Sequence, residues 1–370
     1  MINEKALKEY LFREFTGVRR VEIRKLGAGV QGAGFLASVM AEEGERSYVV
    51  KALIPEGLGH DYPSDRAAVF LLDLDEYKNL PRHVRAVDVL AEWEDGTLHS
   101  IGGGIEYYLL MERAEGTDYF TDLAGFAEKE RLVPPDRERI RAMAAYLAGI
   151  HAVKKESRAL YWRKVRDTVG HGECLMGVFD TYPDGTLSYA EMAEIEKGCV
   201  EWRARLKPKC HRLSLIHGDF HPGNIWFKPG GGLSAPGAGK DAGTDFVLLD
   251  RSRGPWGDPA DDITALAINY IFFSVIRHGR VTGPYYEGLA LFFEEYGRLS
   301  GDEELCEVLA PFFAFRGVVV ANPVFYPALS AETRAKIFSF VRNVLAADRF
   351  EVENVNAYLA YPPEAPLKRM

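Results

Sequence analysis

The sequence predicts an α+β protein in which strands crowd the first third and helices fill the remainder. Two patterns carry this reading. Between residues 21 and 53, the runs VEIRKL, FLASVMA and SYVVKALI are separated by the glycine-rich GAGVQGAG and by Glu43-Gly44, the pattern of an antiparallel meander. From Pro134 onward, apolar residues such as Ile140, Met143, Leu147 and Ile150 recur at the helical period. The chain has 370 residues, 47% of them hydrophobic and 27% charged, so it can bury a substantial core without disulfides and has room for two or three domains.

The elements follow in order. A short charged helix precedes the meander. A helix is predicted around Asp65 to Leu80, then strands near Val87 to Trp93 and Glu106 to Glu112, separated by the turn-rich DGTLHSIGGG. Ala114-Glu115-Gly116 closes the strand-rich part. Pro134, Pro135 and Asp136 open a helix, and Ser188 with Glu191 forms a capping box ahead of another that runs to about Leu206. Short strands are expected at Leu213 to Ile216, Ile225 to Phe227 and Phe246 to Leu249, and helices near 259–278, 284–299, 302–321 and 330–349. The apolar run Ile263 to Ile276 is too short for a span of about 20 residues and reads as a buried helix. Pro229 to Thr244, rich in glycine, reads as a mobile loop.

Charge narrows the partners. With 54 acidic and 45 basic residues the formal charge is -9, so no overall basic field exists to hold a nucleic-acid backbone or an anionic bilayer. Cys174, Cys199, Cys210 and Cys306 are widely spaced, without a zinc-type pairing, which fits a reducing cytoplasm. The charged N-terminal stretch lacks an apolar segment, so no signal peptide is expected.

Three motifs bear chemistry. HGDFHPGN, residues His217 to Asn224, packs two histidines, an aspartate and an asparagine onto a tight turn between apolar runs, more than a turn requires. Asp250 ends the apolar run FVLLD, where a sheet orients a carboxylate toward a hard cation such as Mg²⁺. Asp219, Asn224 and Asp250 together offer one carboxylate for an attacking hydroxyl and separate oxygen ligands for a metal, the division of labour of in-line phosphoryl transfer. Gly27, Gly29 and Gly32 match G-x-G-x-x-G. The next run leads into a turn and a strand bearing Lys51 instead of opening a helix, which favours a phosphate-covering hairpin over a dinucleotide fold. A half-buried lysine needs a counter-ion. Glu76 is the only glutamate in the Asp65 to Leu80 helix, with Asp65, Asp73 and Asp75 as competitors.

HGDFHPGN, the LLD ending at Asp250, GDPADD at residues 257–262, the glycine loop and VVK resemble the aminoglycoside phosphotransferase and choline kinase-like small-molecule kinases over roughly residues 20 to 275. The resemblance implies a protein kinase-like two-lobed fold: an N-terminal antiparallel sheet lobe with one helix (1–113, nucleotide-binding) and a larger, mostly helical C-terminal lobe (114–370, catalytic and substrate-binding). It implies ATP and Mg²⁺ as cofactors and a small-molecule hydroxyl as acceptor, in a monomer or homodimer. Asp219 resembles the catalytic base, Asn224 and Asp250 the metal ligands, and Lys51 the phosphate-binding lysine paired with a helical acid. Glu112 to Ala114 is similar to the adenine-binding hinge, His217 and Asp262 would support the loop, and His151 ends a helix like the one before the family's catalytic loop. Relatives commonly carry an aromatic and an acid after the metal aspartate, where this chain has Arg251 and Ser252. Two other readings compete: a metallohydrolase using His217, Asp219 and His221, and a nucleotide-binding module without transfer activity. The acceptor, whether aminoglycoside, amino alcohol or sugar, is not legible.

Overall fold

The computed structural model describes residues 2–28, 32–54, 63–101, 106–228, 245–251 and 253–360. The chain divides into two compact units, Met1–Glu115 with Val247–Gly254, and Gly116–Phe246 with Pro255–Met370. The architecture is α+β, with an antiparallel sheet in the first unit and a larger helical second unit, as in protein kinase-like folds.

In the first unit, strands β1 (Val18–Ala28), β2 (Gly32–Ala41), β3 (Gly44–Leu53), β4 (Ala86–Glu92), β5 (Leu98–Ser100) and β6 (Glu106–Glu112) form a sheet in the order β1-β2-β3-β6-β4-β5. Its pleat sends alternate residues to opposite faces. On one face Val21, Ala37, Tyr48, Val50 and Leu110 pack against Leu7, Tyr10 and Leu11 of helix α1 (Glu4–Glu14), which the Asn3 side chain caps. On the other, Leu53, Val89 and Leu109 pack against Phe70 of helix α2 (Pro63–Glu76) and Tyr77. Each such buried side chain contributes roughly 1.5–3 kcal/mol. Lys51 lies between Val50 and Ala52 on β3, so it shares the α2-side face with Leu53. The segment after Phe246 joins this unit because Leu248 accepts from Val84 N–H (3.3 Å) and donates to the Arg82 carbonyl (3.2 Å).

The second unit contains α3 (Tyr119–Gly125), α4 (Pro134–His151), α5 (Arg158–Gly170), α6 (Leu175–Phe179), α7 (Tyr189–Leu206), α8 (Pro259–His278), α9 (Gly283–Ser300), α10 (Leu305–Val308), α11 (Ala310–Val320), α12 (Ala331–Ala346) and α13 (Val355–Tyr358). Ser188 and Glu191 make the expected capping box on α7. Several expectations need correction. The helix predicted near 302–321 is two, α10 and α11, with Pro311 in the first turn of the second, where its missing N–H costs nothing. Helix α2 ends at Glu76 and gives way to a 3₁₀ turn, Tyr77–Asn79. Helices α3, α5 and α6 went unread; the buried face of α5 includes Lys164 and Thr168, which disguises its apolar stripe. The DGTLHSIGGG segment contains β5. Helix α8 covers the expected 259–278 but, against the reading of its apolar run as too short, is long and apolar enough to cross a membrane. It is a core helix, with 89% of its apolar window buried.

Candidate active site

The HGD turn is built around a buried carboxylate. Asp262, in the first turn of α8, accepts the backbone N–H of His217 (2.8 Å) and of Gly218 (2.7 Å) and pairs with His151 Nε2 (3.1 Å). Gly218 takes φ +89°, a conformation that a side chain would strain. His217 Nδ1 accepts the Asp219 N–H at 3.2 Å, so the imidazole props the backbone that carries Asp219. The Asp219 carbonyl accepts from His221 N–H (2.8 Å) and from Asn224 Nδ2 (3.0 Å). The Asp219 side chain is 13% exposed, with His221 Nε2 4.0 Å from Oδ2.

All three carboxylates at the start of α8 are buried, and each meets a basic side chain. Asp258 caps the helix and takes Arg212 in two bonds (2.9 and 3.0 Å) and the Tyr161 hydroxyl (2.8 Å). Asp261 pairs with Arg316 (2.6 Å) and Lys164 (3.3 Å). Asp262 faces His151. Burial pushes the Asp258 and Asp262 carboxyls up. For Asp258 the charge and hydrogen bonds of Arg212 outweigh burial, and for Asp262 the hydrogen bond and charge of His151 do so; both end below the ordinary carboxylate range.

In the first unit, Lys51 Nζ meets Asp250 Oδ1 at 2.7 Å, both side chains partly exposed. Asp250 adopts φ +58°, a left-handed conformation that aspartate tolerates better than most residues. Glu76 lies elsewhere: its carboxylate is 3.4 Å from Arg251 Nη1 and 3.3 Å from Asn79 Nδ2. Arg251 is fully buried and also donates to the Glu76 carbonyl at 3.0 Å. Gly27 pairs with Gly34 in the β1–β2 register, and Gly34 with Lys51 in the β2–β3 register. At Gly32 a Cβ would stand 2.2 Å from the Ala52 carbonyl oxygen, so the backbone itself requires glycine there. The Glu112 N–H is taken by the Arg85 carbonyl (3.0 Å), and Ala114 packs against the α2-side core. Gly29, Ser252 and the 229–244 loop lie outside the described residues.

Each unit carries an oxygen donor of a kind that hard divalent cations take. Because Asn224 spends its Nδ2 on the Asp219 carbonyl, its Oδ1 is turned away and accepts no hydrogen bond among the described residues. Asp250 supplies a carboxylate. Amide and carboxylate oxygens fit Mg²⁺. Among the described residues, no group of three or more His, Cys, Asp or Glu side chains could hold a metal ion, so the histidines of the turn do not form a zinc-type ligand set.

A model of the phosphotransferase enzyme family known as APH matches residues 32–235, more than half of the chain. The chain belongs to this family and is a phosphotransferase. Among solved structures, aminoglycoside 2'-phosphotransferase-IIIa in its GDP complex shares 12% identity, with 92% of this chain and 98% of that one covered at a TM-score of 0.50. This likeness is one of fold. Aminoglycoside phosphotransferase APH(3'')-Id from Streptomyces rimosus shares 15% identity over 88% of this chain and 99% of that one, with a TM-score of 0.48. A choline kinase from Cryptosporidium parvum shares 11% over 96% and 93%, with a TM-score of 0.49. No curated protein matches the sequence.

One residue of this phosphotransferase that motif reading missed is Arg316, whose Nη1 lies 2.6 Å from Asp219 Oδ1. Its signal is compositional. It is the only charged residue in the apolar helix APFFAFRGVVV, and an arginine in such a run must find a buried acid.

Proposed function

We propose that this phosphotransferase transfers the γ-phosphoryl group of ATP, with Mg²⁺, to a hydroxyl of a small molecule such as an aminoglycoside, amino alcohol or sugar. The observation that carries the reading is the placement of Asp219: a carboxylate on a turn whose backbone Asp262 and His217 brace on both sides. Asp219 is the base that accepts or orients the acceptor hydroxyl proton. Lys51 binds nucleotide phosphate oxygens and Asp250 holds its ammonium in place. Asn224 Oδ1 and Asp250 are the ligands of Mg²⁺, which supplies charge neutralisation on the phosphates when bound. The backbone near Glu112 and Ala114 meets the adenine, with Gly27, Gly29 and Gly32 covering the phosphates. Glu76 anchors Arg251 beside the metal aspartate.

The test is a coupled ADP-release screen against amino alcohols, sugars, aminoglycosides, homoserine-like compounds and nucleosides. A general base contributes about 10²- to 10⁴-fold, so Asp219→Ala should lower turnover by that factor while Mg-ATP binding persists. Turnover unchanged in Asp219→Ala would remove the base from the mechanism. Mg-ATP binding without transfer to any acceptor class would favour a regulatory nucleotide-binding module.

A further inference from the structure

We propose that Arg316 is a positioning residue that fixes the orientation of the Asp219 carboxylate. The inference rests on the reading of Asp219 as the base. Arg316 is 4% exposed and comes from the middle of the apolar helix α11. Its Nη1 donates to Asp219 Oδ1 at 2.6 Å, and its Nη2 donates to the Gly218 carbonyl at 3.0 Å and to Asp261 Oδ1 at 2.6 Å. One planar group therefore grips the HGD turn at a side chain and at the preceding carbonyl, and ties both to the first turn of α8. Nε is buried without a hydrogen-bond partner. The fold leaves that donor unsatisfied while keeping the fork on the two acids.

The wider pattern is a buried row of alternating charge. Lys164 pairs with Asp261, Asp261 with Arg316, and Arg316 with Asp219. Lys164, Asp261 and Arg316 are all under 9% exposed. Neutralising Asp261 alone would need only one cation, and Lys164 already supplies it. A second, forked cation that also reaches the reactive turn is more than charge balance demands. With Oδ1 committed to Arg316, the plane of the carboxylate is set. A lysine could not reproduce this grip, since its ammonium lacks the fixed fork of a guanidinium.

The experiment compares wild type, Arg316→Met, Arg316→Lys and Asp219→Asn. Crystal structures and melting temperatures are determined, along with ADP release from Mg-ATP, using the best acceptor of the screen and water if none scores. Misplacing a reacting group by about 1 Å can cost 10²-fold, so Arg316→Met should lower kcat by roughly 10- to 100-fold and leave the KM for ATP within about twofold. Its crystal structure should show the Asp219 carboxylate rotated or split between conformers. Arg316→Lys keeps a buried positive charge without the fork, so it should melt above Arg316→Met without recovering kcat. An Asp219 carboxylate unmoved in Arg316→Met, or an Arg316→Lys variant that regains both stability and turnover, would overturn the inference by reducing Arg316 to a structural role. Wild-type turnover in Asp219→Asn would instead defeat the base assignment, while the carboxylate orientation in the crystals would still decide whether Arg316 sets it.

Discussion

Lys51 and Asp250, separated by 199 positions in sequence, meet at 2.7 Å within one structural unit. Asp250 reaches Lys51 because residues 247–254 belong to the same compact unit as the N-terminal sheet. Side chains that are 20% and 34% exposed are screened by solvent, so this ion pair contributes little to folding, on the order of 1 kcal/mol or less. Under the proposed function it holds an ammonium ready for phosphate. Lys51→Met should therefore leave the melting temperature within a few degrees but weaken Mg-ADP binding by about 10- to 100-fold, the equivalent of one or two charge-assisted hydrogen bonds. Calorimetric titration with Mg-ADP measures this. Equal affinity in the variant and the wild type would take Lys51 out of the nucleotide site.

Asp262 is a different case, because it is fully buried and two of its three hydrogen bonds go to backbone. Substituting asparagine keeps the shape but replaces one acceptor oxygen with a donor, so one of the two N–H groups, of His217 or Gly218, loses its partner. Hydrogen bonds to charged groups are worth about 1.5–3 kcal/mol each. Asp262→Asn should thus cost about 2–4 kcal/mol of stability and lower turnover more than it lowers ATP affinity, since the turn it braces carries the proposed base. Chemical denaturation and steady-state kinetics separate the two effects. An unchanged kcat in a destabilised protein would show that Asp262 holds the core but not the catalytic geometry.

Much of the fold was readable because local patterns carried it. The alternation in SYVVKALI gave β3 and placed Lys51, and Ser188 with Glu191 marked the start of α7. The HGD turn announced itself by density of polar residues. What escaped was set by distance: Arg316 finds Asp219 across 97 positions, Arg212 finds Asp258 across 46, and His151 finds Asp262 across 111. Nothing local encodes such pairings. The counter-ion rule predicts an acid for Lys51, and Asp250 supplies one from 199 positions away. Helix α5 was hidden for a related reason, since Lys164 faces inward to meet Asp261 and breaks the apolar stripe.

The buried acids of α8 also set an acid limit to stability. Asp258 and Asp262 both titrate below the ordinary carboxylate range in the folded protein, whereas an unfolded aspartate titrates near about 3.9. The unfolded chain therefore binds more protons over this interval, and stability rises with pH. The contribution is fully present above about pH 4 and is lost as pH falls through the folded values. Thermal melts between neutral pH and pH 3 should show a steep acid limb in the wild type and a shallower one in Asp258→Asn. At neutral pH that variant should be about 3 kcal/mol less stable, because it breaks a buried pair with Arg212. Coincident acid limbs would mean that other carboxylates govern the transition.

Arg251 follows Asp250, the proposed metal ligand, and its burial decides between two roles. A side chain that shaped the acceptor pocket would need to reach the acceptor, but Arg251 is completely buried in the first unit and donates to the carbonyl and carboxylate of Glu76 at the end of α2. It therefore anchors the strand end from which Asp250 projects in its left-handed conformation. Arg251→Met leaves the Glu76 carbonyl without this donor and frees the backbone beside Asp250, so Mg-ADP affinity should fall about tenfold with a stability loss of about 1–3 kcal/mol. Acceptor KM, measured at saturating Mg-ATP, should stay within about twofold. The opposite pattern, an altered acceptor KM with nucleotide affinity intact, would return Arg251 to the acceptor pocket and leave the conformation of Asp250 to be explained by other contacts.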